Sequence, residues 1–317
     1  DEEIVELPVN QRTVTRRYTD RAIEFITTNR ARPFFLYLAH SMPHVPLFVP
    51  EDAYDPDPQN AYRAVIEHID AEVGRVMKTV RDLGLSEKTY VIYTSDNGPA
   101  LHFKNHGGRA NPLRSGKGTT YEGGQRVPCV MWGPGCIPAG TETGEMASTL
   151  DLFPTMAALA GVEVASRGPI DGFDISGVIT GSEPSPRNEF IYYSSRGVLE
   201  GLRQGEWKLR IQAPGKRKVK GKPELYHLSA DIGEQQNLAD RMPGKVTEMK
   251  ERMNELDREI TGARRSRGML TDADASLRTE DIPIRDPFIY ADSETQTYYM
   301  YAQTGNRQGS GLTGVEV

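Results

Sequence analysis

Apolar residues change their spacing twice along this chain, and each change predicts a different kind of element. Tyr18, Ala22, Phe25 and Ile26 recur at helical intervals, then Arg32-Pro33 leads into the unbroken apolar run Phe34 to Leu38. This predicts a helix feeding a buried strand. From Tyr62 the positions Val65, Ile66, Ile69, Val73, Val76, Val80 and Leu83 trace one helical face, and Gly84 is placed to end it. Tyr90 to Thr94 predicts a second buried strand, and Val127 to Trp132 a third with Pro128 at its start. Thr149 to Ala160 reads as a short helix, with Asp151 and Pro154 in its first turns and Gly161 beyond its end. Strands alternating with helices predict an α/β fold in which a mostly parallel sheet is sandwiched by helices.

After about residue 182 the texture becomes finer. Phe190 to Tyr193, Gly201 to Arg203, Trp207 to Ile211 and Glu224 to Leu228 are short strand-like pieces separated by glycine and charged turns. A helical face of Val246, Met249, Met253, Leu256 and Ile260 follows. The pattern predicts a small C-terminal antiparallel subdomain closed by one helix. The expected organisation is an α/β domain over 1–182, the antiparallel subdomain over 183–260, a charged, apolar-poor linker over 261–283 and a separate piece over 284–317.

The 317 residues carry 38 Lys plus Arg against 44 Asp plus Glu, a net charge of −6. That balance argues against a general nucleic-acid binder, so any anion site must be local. No apolar run approaches the roughly 20 residues of a membrane span. The two cysteines, Cys129 and Cys136, make neither a disulfide framework nor a thiolate metal cluster.

In open α/β sheets ligands collect where strands end. The first predicted strand runs into Ala39-His40-Ser41-Met42-Pro43-His44, and the second into Ser95-Asp96-Asn97-Gly98-Pro99. Asp96 and Asn97 offer adjacent hard oxygen ligands suited to Ca²⁺ or Mg²⁺, and a plain turn is the structural alternative. A third cluster, Gly116-Lys117-Gly118, lets backbone and an ammonium approach an oxyanion. It is not a nucleotide P-loop, because Gly118 stands where Ser or Thr is required.

These segments resemble the sulfatase family of the alkaline-phosphatase-like fold, in its arylsulfatase A type. The resemblance is carried by Pro33 to Ala39 with Pro43-His44, by Thr94 to Pro99, and by Gly116 to Gly124 with Arg126-Val127-Pro128. It continues through Leu150 to Thr155, Asp171 to Asp174, and Glu224 to Tyr226 with Asn237-Leu238. The resemblance implies a sulfuric ester hydrolase acting on a sulfated small molecule or polysaccharide. By it, Asp96 and Asn97 are ligands of a divalent cation, calcium with magnesium as the alternative. Lys117 binds a sulfate oxygen, and His44 contacts the sulfate and protonates the departing alcohol. His40 is a secondary candidate for substrate contact. The family's nucleophile is a formylglycine made within C/S-x-P-x-R, and this chain has no such motif. Cys136-Ile137-Pro138-Ala139-Gly140 mimics it, but Gly140 replaces the arginine. The expectation is therefore that the nucleophile lies in an N-terminal portion missing from this chain, with any targeting segment, and that the chain alone is inactive. A periplasmic, secreted or lysosomal setting is implied in the same way. A phosphatase or phosphodiesterase relative, and a non-catalytic carbohydrate-binding or scaffold module of the same fold, are the alternatives.

The last stretch, Ile284 to Tyr290 and Thr297 to Tyr301, resembles the opening blade of a family 43 type β-propeller glycosidase, which would make Asp286 a general base. The alternative there is an aromatic β-hairpin tail. His102 and His106 read as an exposed or substrate-lining pair rather than a zinc site, and Lys216, Arg217, Lys218, Lys220 and Lys222 as a solvated hairpin tip. Glu122 and Arg126 read as a structural ion pair that holds the Lys117 loop.

Overall fold

The computed structural model describes residues 6, 8–164, 169–211 and 222–263, and the backbone of 284–292, 297–304 and 315–316. The cluster at 216–220 and the linker from 264 to 283 lie outside the described residues.

The Asn10 side chain accepts the Arg12 amide and starts helix α1, Gln11–Asn29. Its inward residues Val14, Ala22 and Ile26 are buried along α2, Ala61–Asp82, which presents Val65, Ile69 and Val80. Polar groups register the pair. The buried Glu72 accepts from Arg16 of α1 at 3.3 Å and from Arg75 at 2.6 Å, and Arg75 reaches Asp20 of α1. Two strands follow, β1 at Val91–Thr94 and β2 at Cys129–Trp132. Pro128 stands just outside β2, where its missing amide costs no ladder bond.

One expectation is not displayed by the described residues, and another needs correction. The strands that pair do so antiparallel, Val91 opposite Trp132 and Thr94 opposite Cys129, so the described residues display no parallel sheet. Phe34 to Leu38, read as a buried strand, joins no ladder. Phe34 and Leu36 pack against the core of Ile26, Val80 and Leu85, whereas Phe35 and Tyr37 are 68 % and 73 % exposed. An apolar run of this length looks buried on both faces from its composition, but the described residues cover only one of them.

A short 3-10 turn, Thr149–Asp151, opens α4, Leu152–Leu159, and α5 spans Ser176–Thr180. Asp151 is fully buried: it caps the Ser148 amide, accepts the Phe173 amide and pairs with Arg187. Strands β3 (Glu189–Tyr193), β4 (Leu199–Gln204), β5 (Trp207–Ile211) and β6 (Pro223–His227) form an antiparallel meander in sequence order. Leu202, Leu209 and Leu225 lie side by side across three strands and bury against Met249 and Met253 of α6, Pro243–Gly262. Each such side chain contributes about 1.5–3 kcal/mol by leaving water.

The opposite face of this sheet is charged yet also buried. Lys208 and Arg210 alternate with Trp207, Leu209 and Ile211, and both are covered. What covers them is the Lys117 loop.

The chain divides into two compact units, Asp1–Gly262 and Ala263–Val317. In the second, β7 (Ile284–Asp292), β8 (Thr297–Thr304) and β9 (Val315–Glu316) form a three-stranded antiparallel sheet. Asp286 falls at the register shift between Arg285 and Phe288.

Candidate active site

The turn after β1 and the glycine loop before β2 interlock through their backbones. The Lys117 amide donates to the Pro99 carbonyl at 2.8 Å, and the Gly98 amide to the Gly124 carbonyl at 3.2 Å. The approach is too close for side chains: a Cβ at Gly98 would lie 1.8 Å from the Gly123 oxygen, and one at Gly116 2.3 Å from the Pro99 oxygen. Glycine at these two positions is what lets the Asp96-Asn97 turn and the Lys117 loop meet.

Asp96 is exposed, and among the described residues its carboxylate receives only a long contact from Ser95 Oγ, at 3.5 Å. Asn97 donates its amide nitrogen to the Gly98 carbonyl at 3.2 Å, and no donor among the described residues reaches its side-chain oxygen. Two hard oxygens are thus available side by side, as a calcium or magnesium ion requires. Among the described residues no group of three His, Cys, Asp or Glu side chains completes a metal site. These residues therefore fit the ion as two of its ligands. Lys117 is exposed and no carboxylate among the described residues pairs with it, which leaves its ammonium available to an anion.

The loop bearing Lys117 is clamped from behind. Glu122 opens a one-turn helix, α3 (Glu122–Gln125), and is 2 % exposed. Its carboxylate meets Lys208 of β5 at 2.8 Å and Arg126 at 3.2 Å, and its backbone amide donates to Glu234 at 2.7 Å. Lys208 also lies 3.0 Å from Glu234. Burial opposes ionisation of both carboxyls but the outcomes differ. At Glu122, Lys208 reinforced by Arg126 and Arg203 outweighs burial and holds the carboxyl below its ordinary value, whereas at Glu234 burial wins and pushes it up. Arg114 donates to Tyr226 and to the Glu234 carbonyl, and the Tyr121 ring lies against both guanidiniums, 4.1 Å from Arg114 and 3.5 Å from Arg210. The Glu122–Arg126 pair expected from sequence is present. Its larger partners, Lys208 and Glu234, were missed, although two basic residues alternating with apolar ones in β5 were the available signal.

His44 is exposed, and its Nδ1 lies 2.7 Å from the Val45 carbonyl. A carbonyl only accepts, so Nδ1 carries the hydrogen and Nε2 is the open nitrogen. The segment around it is anchored by Met42, which packs on Val65 and Ile69 of α2. Neither His44 nor His40 makes a contact that joins it to the interlocked loops. His40 instead packs beside Tyr18 of α1 and near His68 and Glu72 of α2, with both ring nitrogens buried and unpartnered. Burial lowers its pKa. That is the environment of a polar side chain at a helix interface. Cys136 lies apart, in the turn after β2, with Sγ 3.7 Å from the Glu87 carbonyl. His106 is held by the Pro58 carbonyl at 2.9 Å.

A family model described as Sulfatase matches residues 3–162. The chain belongs to the sulfatase family. It is 37 % identical over 246 residues to human (Homo sapiens) arylsulfatase A, an alignment covering 71 % of this chain and 48 % of that protein. It is 36 % identical over 213 residues to N-acetylgalactosamine-6-sulfatase of Mus musculus, covering 65 % and 41 %. The chain thus spans about half the length of the curated relatives it matches. Among solved structures, the PsFucS1 sulfatase from Pseudoalteromonas sp. superposes with a TM-score of 0.74 at 22 % identity, over 84 % of this chain and 57 % of that one. That likeness supports the alkaline-phosphatase-like fold.

Proposed function

We propose that this chain carries part of a sulfatase active site and that this site cleaves the sulfate ester of a carbohydrate. The observation that carries the reading is the interlock of two glycine turns, which sets the unsatisfied Asp96-Asn97 oxygens and the unpaired Lys117 on adjoining loops. Cleaving a sulfate ester develops negative charge on the bridging and non-bridging oxygens, so a fixed ammonium and a cation there lower the barrier. Lys117 takes one sulfate oxygen. Asp96 and Asn97 hold the divalent cation, which when bound neutralises sulfate charge. When His44 carries a proton on Nε2 as well as the one its Nδ1 donates to the Val45 carbonyl, it gives the Nε2 proton to the departing alcohol oxygen and is left as the Nδ1–H imidazole. Formylglycine, the family's nucleophile, has no precursor motif in these 317 residues. A mostly parallel sheet, beyond the antiparallel pairs of the described residues, belongs to the same proposal. The mouse relative's name, a sulfatase of N-acetylgalactosamine 6-sulfate, supports a sulfated sugar as substrate.

The test is hydrolysis by the 317-residue chain and by the full-length protein that contains it, offered an aryl sulfate, N-acetylgalactosamine 6-sulfate and an aryl phosphate. Sulfate release by the full-length protein alone, with the phosphate left intact, is expected. Phosphate release in preference to sulfate, or rapid turnover by the 317-residue chain, would overturn the assignment.

A further inference from the structure

The residues that follow the Asp96-Asn97 turn form a rim beside Lys117. Leu101–His106 comprises two short 3-10 turns that meet at a kink at Lys104. Its first residue leans on the Lys117 loop, since a carbon added at Gly116 would lie 2.9 Å from Leu101 Cγ. The next two side chains, His102 and Phe103, lie against each other with ring centroids 4.1 Å apart and planes tilted by 42°, and both are exposed, Phe103 at 43 %. A ligand that covers the exposed part of this ring removes apolar surface that folding leaves in water.

The rim is also held rigidly. His106 Nε2 is fixed at the Pro58 carbonyl, the Asn105 side chain donates to Gln59, and the Gly107 amide donates to the Lys104 carbonyl at 3.1 Å. Lys104 sits at the kink with φ +50° and ψ −120°, a conformation strained for a non-glycine residue. Two rings are therefore displayed on a fixed, strained support adjoining an unpaired ammonium.

We propose that His102 and Phe103 form a stacking subsite for the pyranose ring whose sulfate faces Lys117. This rests on the sulfate-ester reading above and adds the residues that recognise the sugar. A pyranose presents one face of C–H groups that packs on an aromatic plane, while its hydroxyls stay in water or meet donors such as Lys104. Leu101 lies next to Gly116, the neighbour of Lys117, so on this proposal the ring esterified to the sulfate extends over His102 and Phe103.

The experiment is an NMR titration of the full 317-residue chain with three probes: inorganic sulfate, N-acetylgalactosamine 6-sulfate and N-acetylgalactosamine. The sulfated sugar should bind more tightly than inorganic sulfate and shift the Phe103 and His102 ring signals. Phe103→Ala should weaken the sulfated sugar about three- to tenfold and leave inorganic sulfate unchanged, with Phe103→Trp restoring the difference. Lys117→Ala should weaken both sulfate probes. Equal affinity of wild type and Phe103→Ala for the sulfated sugar overturns the subsite. So does a parallel loss of inorganic sulfate, because the substitution would then act through the loop. If Lys117→Ala changes neither probe while the Phe103 effect persists, the subsite stands and the role of Lys117 falls. No response to any probe overturns both.

Discussion

Replacing Lys208 with methionine removes the one cation lying between two buried carboxylates. Its ammonium is fully buried, 2.8 Å from Glu122 and 3.0 Å from Glu234. At an effective dielectric near 20 each contact amounts to about 5–6 kcal/mol of attraction, of which desolvation takes back a large part. In the variant, Glu122 keeps Arg126 at 3.2 Å and Arg203 at 3.8 Å, while Glu234 keeps only the Glu122 amide. Stranding buried charge in this way costs about 3–5 kcal/mol near neutral pH. The cost depends on pH with a definite sign. In the wild type the Glu122 carboxyl is held below its ordinary value, so its contribution is complete above the unfolded pKa and is lost as pH falls through the folded one. In the variant both carboxyls rise above the unfolded value, so the folded state gains stability relative to the unfolded one as it takes up protons. The two stability curves should therefore converge in acid. Urea unfolding of the full chain, followed by circular dichroism at pH 7.5 and pH 5, measures this directly. A loss under about 1 kcal/mol at pH 7.5, or the same loss at both pH values, would refute the clamp as the source of loop stability.

Three further outcomes follow from other contacts. Gly98→Ala should destabilise by about 1–3 kcal/mol or more and speed exchange of the Lys117 amide, read by hydrogen exchange, because the new Cβ would sit 1.8 Å from the Gly123 oxygen. Asp151→Asn should cost about 3–5 kcal/mol in chemical denaturation, since the buried carboxylate holds Arg187 through two bonds as well as two backbone amides. Burial lowers the pKa of His40 and of His68, so both stay neutral in the fold while the unfolded chain takes up protons near pH 6.5. Their contribution should be complete above that pH and shrink as pH falls through it toward the folded values, and His40→Leu should flatten the slope of the thermal midpoint between pH 7.5 and 5.

How far the sequence reveals this molecule depends on the range of each signal. Helices α2 and α6 and strands β3 to β6 follow from local periodicity with boundaries within a few residues of the expected ones, whereas α1 begins at Gln11, well before Tyr18, the first apolar position that marks it. Phe34 to Leu38 does not follow in this way, because composition records how apolar a segment is and not whether neighbours cover both its faces. The candidate chemistry was legible where it is local. Asp96-Asn97 follows a strand, and Lys117 sits between glycines. The clamp ties Glu122 to Lys208, 86 positions away, and to Glu234, 112 away, and no spacing rule reaches that far. Nor does any pattern show that Gly98 and Gly116 are glycines for the same reason, which is that two backbones meet there.

The central claim is that Asp96 and Lys117 serve one sulfate. A double-mutant cycle on kcat/KM for N-acetylgalactosamine 6-sulfate, measured in the full-length protein, tests it most directly. Lys117→Ala and Asp96→Ala should each lower the rate by about 10² to 10³, and the double variant should lose far less than the product of the two, because groups acting on one transition state fail together. Losses that multiply, or single variants that retain wild-type rates, would contradict a shared site.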